Sequence, residues 1–529
     1  MGRRQRQLCP DSLGLALCPA HTGAAQRGRE RVAEKSVPGA IAAGLCRRRG
    51  LVQAVLRGAP GHGLSRRHAH RIGHSYQQAR SGRLRVRGLR RRAAKRPWRS
   101  DGVGHGDDRA AQARAGTAVG LGGGSVVARR IPQLLPLNGV RVLELGGHVS
   151  APFCARLLAD YGADVIKVEQ PGIGDEARRM GPFVGDDPHP DKSIPFLYLN
   201  TNKRGVTLDP ATTAGARLLA ELLGSADVVV ENYPPGEKPA PMLETEYLAK
   251  HYPTLIVASI TAFGQSGPYR NFAATDIVTT AFSGLMYHSG DSDREPLRNA
   301  LNQSFYVAGI NGAVATAAAL FRRMATGQGQ TIDVSTVECL ASHLVQAVPY
   351  YSYMGAIKGR RPVRGSGFEE LMPARDGYVI PSVQGSQPWS TVAELISEPG
   401  LHDERFASGS GRIEYGEEIY DLLIKGLAQW DRKALHQASG ERRLVFGMAQ
   451  DAGDLHECPH LREREFFRTV SHPVAGEVDY PGMGPRLSGM EYEVTRAAPL
   501  LGEHNGEIYG DELGRSAEGL AQLRALGAI

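Results

Sequence analysis

The chain has 529 residues and a formal net charge of +8 at pH 7, but the charge is divided unevenly. Residues 1–130 hold 28 lysine and arginine residues against 6 acidic ones, whereas the rest of the chain holds 35 against 49. The six cysteines are scattered without a CxxC pair, so the sequence indicates neither a metal site nor a disulfide framework and fits a cytoplasmic protein. No apolar run approaches the roughly 18 residues that cross a bilayer, so no membrane partner is expected.

Residues 1–130 are rich in arginine, glycine and alanine and show little apolar periodicity. Such a segment buries too little apolar surface to offset its ordering entropy. We expect it to be disordered, or to be translated upstream sequence, because the composition changes abruptly before Val126. A transit peptide shares the arginine-rich bias but is much shorter. Dense arginine also suits nucleic acid, but the segment lacks interleaved aromatic residues, so no nucleic-acid partner is expected.

Residues 139–169 predict a strand, a helix and a second strand in rapid succession. The apolar run from Val140 to Leu145 is followed by a helical pattern from Pro152 to Tyr161 and by a second apolar run from Val165 to Val168. This βαβ unit predicts a parallel sheet whose ligand crevice lies at the carboxyl ends of the strands.

The downstream segments continue the alternation of strands and helices. The small residues of 309–322 also predict close packing against another backbone. The pattern changes near residue 351, and a strand is expected at 378–383. The predicted α/β elements of the first part are strands at 206–208, 227–230 and 254–260, a turn and strand at 326–335, and helices at 213–224, 277–285 and 309–322.

The motif VLELGG at the end of the first strand is compatible with two common nucleotide-binding patterns. One is the first glycine motif of an S-adenosylmethionine methyltransferase, with Glu169 holding a ribose; the other is a dinucleotide-binding turn. Both patterns require further glycines, but His148, Val149 and Ser150 follow Gly147. Neither pattern therefore accounts for this site.

A series of motifs from residue 137 to 529 accounts for much more of the chain. They occur in this order: LNGVRVLELGGHVSAPFCARLLADYGADVIKVE, GD followed by Arg178, NTNKRGVTLD, ADVVVENYPPG, TLIVASITAFGQSGPY, DIVTTAFSGLM, AALFRRMATGQGQTIDVS, ARDGYV and PLLGEHNGEI. In this order they resemble the family III CoA-transferases, the CaiB-BaiF group, which includes the α-methylacyl-CoA racemase branch.

The resemblance implies an α/β fold with a Rossmann-like large domain, a smaller α/β domain and two interlocked chains. The large domain would comprise residues 137–350, the small domain 351–460, and residues 461–529 would return to the large domain. CoA or an acyl-CoA would bind as a substrate, with no tightly bound cofactor. The positions that resemble the family's CoA contacts are Val149, Ser150, Gln170, Leu208, Asp209, Asn232 and Tyr233.

Two positions depart from what the resemblance implies. Many members carry an arginine at Gln170, so phosphate binding would either be weaker here or be supplied by Lys203 or Arg204. The family's nucleophilic aspartate lies four residues before a glycine, a position that Phe305 occupies here, before Gly309. Phenylalanine is neither a nucleophile nor a base.

The racemase branch adds a histidine immediately before the Asp of DIV, where this chain has Thr275. Three explanations remain open: another carboxylate substitutes, the chain is the non-catalytic partner of an active paralogue, or it carries out a different reaction on an acyl-CoA. The nearest carboxylates are Asp276, which is also suited to a structural role at a helix start, Asp291, Asp293 and Glu295.

His148 and His504 are further candidate bases, and the basic loop at 360–367 is a candidate clamp for an acidic substrate. The expected function is that of an acyl-CoA:carboxylate CoA-transferase family protein, acting on a CoA thioester and a small carboxylic acid. The alternatives are a non-catalytic CoA-binding subunit of a heteromeric transferase and an acyl-CoA racemase or isomerase. A homodimer or a heteromer with a paralogue is expected.

Overall fold

The computed structural model describes residues 135–292, 294–360, 368, 370–382 and 389–529. By Cα proximity the chain divides into residues 1–124 and 125–529, and the first of these units lies outside the described residues. The predictions for residues 1–130, for Asp293 and for most of the basic loop at 360–367 also fall outside them.

A parallel sheet of six strands forms the centre of the described structure, as the βαβ pattern predicted. Its strands lie in the order β3-β2-β1-β4-β5-β6, and every neighbouring pair is parallel. The strands are β1 Arg141–Glu144, β2 Asp164–Glu169, β3 Lys203–Thr207, β4 Val228–Glu231, β5 Ile256–Thr261 and β6 Thr331–Ser335.

Both faces of this sheet are buried, because successive side chains of a strand point to opposite faces. Val142 of β1 lies in one apolar cluster and Leu143 in the other. Val229 and its neighbour Val230 in β4 are divided in the same way. Burial on both faces explains why the strands are continuous apolar runs rather than alternating ones.

Helices cover the sheet and connect its strands. They are α1 Ser150–Asp160, α2 Ile194–Leu199, α3 Thr213–Ser225, α4 Thr245–His251, α5 Asp276–Phe282, α6 Gln303–Thr326, α7 Thr336–Ala341 and α8 Ala347–Met354. Short 3₁₀ segments occur at Glu176–Arg179, Val184–Asp186, Pro241–Leu243 and Met286–His288. The predicted helices at 152–161, 213–224 and 277–285 are confirmed to within a few residues.

The long helix α6 packs closely against the start of α1. A Cβ added to Gly309 would lie 2.9 Å from the carbonyl oxygen of Ser150 and 3.2 Å from Cβ of Phe153. The predicted close approach of backbones is therefore confirmed, and α6 begins six residues earlier than its small-residue pattern indicated.

In the described part of the chain, α6 is long and apolar enough to cross a membrane, with less than half of its apolar window buried. The sequence-based statement that no run approaches that length is therefore wrong for α6. A helix packed inside a domain passes the same test, and the face of α6 that carries Gly309 and Gly312 packs against α1 and β5.

Residues 368–448 form an apolar cluster of their own around Val379, Leu423 and Phe446. Its sheet is antiparallel, in the order β7-β8-β9. The elements are β7 Met372–Ala374, β8 Gly377–Pro381 and β9 Phe446–Met448, with helices α9 Trp389–Leu395, α10 Gly409–Glu414, α11 Gly416–Leu427 and α12 Arg432–Glu441 and 3₁₀ segments at Pro399–His402 and Glu404–Phe406.

The remaining residues lead back to the parallel sheet. Helices α13 Ala452–Glu457 and α14 Pro459–Glu463 precede an antiparallel pair, β10 Phe467–His472 and β11 Gly476–Pro481. The pair shares an apolar cluster with Phe196 and Leu197 of α2. A π-helical segment, Gly506–Glu512, and α15 Ala517–Ala525 end the chain.

The C-terminal segment covers the free edge of β3. The backbone N–H of Gly205 donates to Nδ1 of His504 at 3.1 Å, and that of Thr207 donates to Oδ1 of Asn505 at 2.9 Å. The hydroxyl of Tyr509 donates to the Thr207 carbonyl at 3.0 Å. The edge strand, which would otherwise present unpaired backbone groups, is thereby satisfied by residues about 300 positions later in the sequence.

Candidate functional site

The order of the strands reverses between β1 and β4. Strands β1, β2 and β3 proceed in one direction from this point, and β4, β5 and β6 in the other. In open parallel sheets, ligands bind at the carboxyl ends of the strands where such a reversal opens a crevice. Here β1 leads into Gly146 and Gly147, and β4 leads into Asn232.

The side chain of Asn232 holds the turn between β1 and α1. Its Oδ1 accepts from the Gly147 N–H at 3.1 Å, and its Nδ2 donates to the Gly147 carbonyl at 2.9 Å and to Oγ of Ser150 at 3.3 Å. A Cβ at Gly146 would lie 2.5 Å from Asn232 Oδ1, so a glycine is required there.

The seven residues that resemble CoA contacts all follow strands that are adjacent in the sheet. Because the strands are parallel, their carboxyl ends share one edge. Ser150 and Asn232 are in hydrogen-bond contact. The seven are Val149 and Ser150 after β1, Gln170 after β2, Leu208 and Asp209 after β3, and Asn232 and Tyr233 after β4. Their part in ligand binding remains a prediction.

These residues present different groups at the edge. Val149 and Leu208 are buried apolar side chains. Gln170 is exposed, and Oδ1 of Asp209 accepts from the Ala211 N–H at 2.9 Å. Tyr233 packs against the apolar cluster, and burial raises the pKa of its phenol to about 12. Its hydroxyl is therefore neutral at physiological pH.

A fully buried ionic network lies beneath the turn between β1 and α1. Nζ of Lys167 lies 2.8 Å from Oε1 of Glu144 and 2.7 Å from Oδ2 of Asp175. Nζ of Lys203 lies 2.6 Å from the other carboxylate oxygen of Glu144. Asp175 also accepts from the backbone N–H of His148 at 2.8 Å, so the network fixes the residue that follows the glycine pair.

The network changes the pKa values of its members. Burial disfavours the charged form of Lys167, but the facing carboxylates of Asp175 and Glu144 outweigh it and raise the pKa. Burial likewise opposes ionisation of Asp175, but Lys167 holds the pKa of that carboxyl below its usual range. For Lys203, burial is the stronger effect and lowers the pKa to about 8, with Glu144 acting in the opposite direction.

The suggestion that Lys203 or Arg204 contacts a CoA phosphate is wrong. Lys203 is fully buried and donates to the Pro152 carbonyl at 2.8 Å as well as to Glu144. The guanidinium of Arg204 binds Asp164, which begins β2 at the amino edge of the sheet. Both cations are thus occupied by other parts of the protein.

Sequence reasoning missed an exposed cation that contacts the turn following Gln170. Arg179 is exposed, and its guanidinium donates to the Ile173 carbonyl at 2.9 Å. The same turn is closed by the N–H groups of Ile173 and Gly174, which both donate to the Gln170 carbonyl. The pair Arg178-Arg179 was the sequence signal that could have identified this cation. Nε of Arg178 lies 2.7 Å from Oε2 of Glu169 and is buried, which leaves Arg179 as the exposed member of the pair.

Phe305 borders a cavity of about 280 Å³ at the reversal point. Its ring meets the imidazole of His148 edge to face, with centroids 5.3 Å apart. Ser150 and Asn232 line the cavity from β1 and β4, and Thr261 and Thr336 line it from the β5 and β6 side. None of the described residues that line this cavity is an aspartate or a glutamate.

The candidate nucleophile Asp276 does not line the cavity, and its carboxylate is bound by other residues of the protein. Its side chain is 4% exposed. Oδ1 accepts from the backbone N–H of Ser304 at 3.0 Å and from its hydroxyl at 2.7 Å, while Oδ2 lies 3.2 Å from Arg298. The carboxylate therefore joins the start of α5 to the start of α6.

Apart from His148, the other candidate groups are also absent from the lining of the cavity among the described residues. Thr275 precedes α5 without a side-chain capping bond, and Asp291 and Glu295 are exposed. His504 accepts the Gly205 N–H at the β3 edge. Of the two candidate histidines, only His148 lines the cavity.

The fold and the crevice define an α/β protein of the Rossmann-like class, with its candidate ligand site at the reversal point of a 3-2-1-4-5-6 sheet. Residues 137–505 match the description of CoA-transferase family III. The chain belongs to that family, which confirms the resemblance found in its motifs.

Three known proteins illustrate the relationship. Succinyl-CoA:D-citramalate CoA-transferase of Chloroflexus aurantiacus is 32% identical over 394 residues, which cover 74% of this chain and 97% of that protein. The BbsE subunit of succinyl-CoA:(R)-benzylsuccinate CoA-transferase of Thauera aromatica is 31% identical over 401 residues, with the same two coverages. The crystal structure of a CaiB/BaiF family protein from Brucella suis superposes with a TM-score of 0.65 at 29% identity and covers 72% of this chain and all of that one.

Proposed function

We propose that this protein binds a CoA thioester along the carboxyl edge of its sheet and takes part in CoA transfer to a small carboxylic acid as a subunit that lacks the covalent nucleophile. The observation that carries the proposal is the absence of any carboxylate from the described lining of the cavity beside Phe305.

Binding of the CoA part is supported by the groups at the strand ends. Backbone N–H groups and hydroxyls at such ends suit phosphate and pantetheine oxygens. The guanidinium of Arg179 donates to the Ile173 carbonyl in the turn that begins at exposed Gln170, and a guanidinium binds phosphate well. We assign to Arg179 the phosphate contact for which Lys203 and Arg204 are not available.

The missing nucleophile is the reason to propose a subunit rather than an independent transferase. Transfer through an enzyme-bound acyl group requires a carboxylate that reaches the thioester carbon. The candidate Asp276 is held by Ser304 and Arg298. One of the relatives, BbsE, carries the name of a subunit, and we propose a paralogue as the catalytic partner here.

Association with a second chain is supported by exposed apolar side chains on α6 and α8. Phe321 and Met324 of α6 are 78% and 85% exposed, and Tyr353 of α8 is 89% exposed. Apolar surface of this kind marks protein interfaces. Native mass spectrometry with and without the paralogue tests this part, and a monomer under both conditions would contradict it.

The chemical test uses the purified full chain, succinyl-CoA and hydroxylamine. We expect succinyl-CoA to raise the melting temperature while peptide mass spectrometry finds no hydroxamate on this chain. When the paralogue is added, the hydroxamate should form on the paralogue. A hydroxamate on a carboxylate of this chain would refute the subunit role, and the lack of any effect of CoA thioesters on melting would refute the CoA site.

A matched pair of variants tests the assignment of the phosphate contact. Arg179→Gln removes the exposed guanidinium beside Gln170, and Arg217→Gln removes an exposed guanidinium on α3. We expect only Arg179→Gln to weaken CoA binding by about tenfold, a magnitude typical for a charged hydrogen bond. Equal effects of the two variants would contradict the assignment.

A further inference from the structure

We propose that the protein also hydrolyses CoA thioesters in the cavity beside Phe305, with the imidazole of His148 acting as general base on a water molecule. The inference rests on the proposed function, because a thioester must lie along the carboxyl edge of the sheet for its carbonyl carbon to reach the cavity. It is carried by the groups that line the cavity, by the fixed position of His148 and by the absence of a carboxylate from the described lining.

His148 is the one titratable base in the described lining of the cavity. The other ionisable group of that lining is the guanidinium of Arg270, which stays protonated in proteins. The described contacts of His148 are its backbone hydrogen bond to Asp175 and the contact of its ring with Phe305. Within the described part of the chain, both nitrogens of the ring are therefore free to bind water. Histidine is also the side chain that most often serves as a general base.

The backbone of His148 is held from two sides. It is left-handed at φ 63°, and its N–H donates to Oδ1 of Asp175 at 2.8 Å. Asp175 is buried, and its other carboxylate oxygen lies 2.7 Å from Nζ of Lys167. The preceding residue, Gly147, is bound by the Asn232 side chain through both its N–H and its carbonyl. A base that is fixed in this way requires little further ordering to orient a water molecule.

The groups around the cavity favour the negative charge that develops during hydrolysis. Attack on a thioester places this charge on the carbonyl oxygen. Helix α1 begins at Ser150, which lines the cavity, and the first N–H groups of a helix lack partners within the helix and stabilise negative charge. The guanidinium of Arg270 adds a positive charge to the lining, and no carboxylate of the described lining opposes it.

The size of the cavity suits the reacting end of an acyl-CoA together with a water molecule. Its volume is about 280 Å³, whereas a water molecule occupies about 30 Å³ in the liquid. Ile260, Phe272 and Ala273 provide apolar contacts for the acyl group. Sites for a whole small molecule span roughly 300–1,000 Å³, so the CoA part would remain at the strand ends, to which Ser150 and Asn232 of the lining belong.

The reaction balances without a covalent intermediate. The imidazole of His148 takes a proton from water while the water oxygen forms a bond with the carbonyl carbon of the thioester. The bond between carbon and sulfur then breaks, and the thiolate of CoA takes the proton from the imidazolium. The products are CoA and the free carboxylic acid. Water thus takes the place that a carboxylate nucleophile has in transfer through an enzyme-bound acyl group.

The test measures the release of the CoA thiol from succinyl-CoA by the purified full chain. We expect hydrolysis above the rate in buffer, and we expect His148→Asn to lower kcat by about a hundredfold or more, as is typical for loss of a general base. Asparagine also tolerates the left-handed backbone. His251→Asn removes an exposed imidazole at the end of α4 and should keep the full rate. No hydrolysis above that in buffer, or equal rates for His148→Asn and the unaltered protein, would overturn the proposal.

Two measurements on the unaltered protein do not depend on the folding of a variant. The value of kcat should fall in heavy water, because a proton is transferred as the water attacks; an unchanged kcat would contradict general-base catalysis. In a single turnover in water labelled with heavy oxygen, the label should enter the released acid and not the protein. Label in a carboxylate of this chain would reveal a covalent intermediate and overturn both the inference and the proposed subunit role.

The melting temperature distinguishes failure of the inference from failure of the proposed function. Succinyl-CoA should raise the melting temperature of His148→Asn as it does that of the unaltered protein. If succinyl-CoA raises neither, the proposed CoA site is refuted together with the inference. If it raises both while neither protein hydrolyses it, only the hydrolysis is refuted.

Discussion

The imidazole of His148 and the phenyl ring of Phe305 meet edge to face with their centroids 5.3 Å apart. His148 belongs to the turn after β1, where its backbone is left-handed at φ 63°, and Phe305 belongs to the first turn of α6. The pair closes one side of the cavity with apolar surface, at the position where the family resemblance implies a carboxylate. Edge-to-face pairs of this kind contribute about 0.5–1.5 kcal/mol beyond the area they bury.

Phe305→Asp is expected to destabilise the protein and to supply the missing carboxylate. The loss of the ring pair and the partial burial of a charge should together lower the free energy of unfolding by about 1–3 kcal/mol. We expect succinyl-CoA with hydroxylamine to label Asp at this position, as detected by peptide mass spectrometry. Phe305→Asn is the matched control and should be destabilised without being labelled; labelling elsewhere in both variants would show that another carboxylate is the nucleophile.

Replacement of Asp276 should alter stability rather than chemistry. Asp276→Ala leaves the buried N–H and hydroxyl of Ser304 without their acceptor, a change that costs about 1–3 kcal/mol. Asp276→Asn keeps an acceptor oxygen and should retain most of that stability in urea unfolding. Succinyl-CoA should raise the melting temperature of both variants as before. If Asp276→Asn instead keeps full stability but abolishes a covalent adduct, the carboxylate is catalytic.

Gly309→Ala is expected to destabilise the contact between α6 and α1. The added methyl group would lie 2.9 Å from the Ser150 carbonyl oxygen, and overpacking of this kind costs about 1–3 kcal/mol. Gly224→Ala is the matched control, because no atom lies within 4 Å of the added methyl group on α3. That variant should gain up to about 1 kcal/mol from the higher helix propensity of alanine. Opposite shifts of the urea midpoint are expected, and equal shifts would contradict the close packing.

Lys203 should make stability depend on pH in the alkaline range. Its pKa is about 8 in the folded protein and about 10.4 in an unfolded chain. Between these values the unfolded chain holds one more proton, so the free energy of unfolding rises with pH, by at most about 1.4 kcal/mol per pH unit. Below pH 8 the residue is protonated in both states and adds no slope.

The measurement is urea unfolding of the unaltered protein and of Lys203→Met at pH 8, 9 and 10. Tyrosines with raised pKa values, such as Tyr509, ionise only in the unfolded chain near pH 10 and lower the free energy of unfolding of both proteins alike, so the difference between the two isolates Lys203. Lys203→Met removes the titrating group, and Lys167 still faces Glu144. The difference between the unaltered protein and the variant should grow across this range. A constant difference would mean that Lys203 keeps its ordinary pKa in the folded state.

Much of the parallel sheet was predictable because local patterns determine it. Apolar runs such as the one in Val228–Glu231 predict buried strands. The glycine at position 309 likewise predicted the close contact between α6 and α1. The antiparallel pair β10 and β11 was not predicted. Half-exposed short strands such as Phe467–His472 and Gly476–Pro481 lack a continuous apolar run, and their pairing depends on residues far along the chain.

The candidate site was only partly predictable for the same reason. Motif order identified Ser150, Asn232 and Phe305, which the structure brings to one cavity. Thr261 lies within the motif TLIVASITAFGQSGPY, but the motif does not indicate that it lines the same cavity as Phe305, which follows only when β5 takes its place in the sheet. From the sequence, Lys203 was expected to be available for a ligand. Its burial against Glu144 depends on the packing of strands that are distant in the sequence, so the residues around Lys203 do not indicate it.

Because β3 pairs with the C-terminal segment, its edge cannot be covered until that segment has been synthesised. Thr207 and Tyr509 are 302 residues apart, and a ribosome adds about 5–20 residues per second. The edge of β3 therefore stays uncovered for roughly 15–60 seconds after it emerges, a period during which nascent chains can pair through it. Slower elongation, or truncation before His504, should increase aggregation of the nascent protein. Chaperones that bind exposed strands should associate with it until residues 504–509, which pair with β3, have been synthesised.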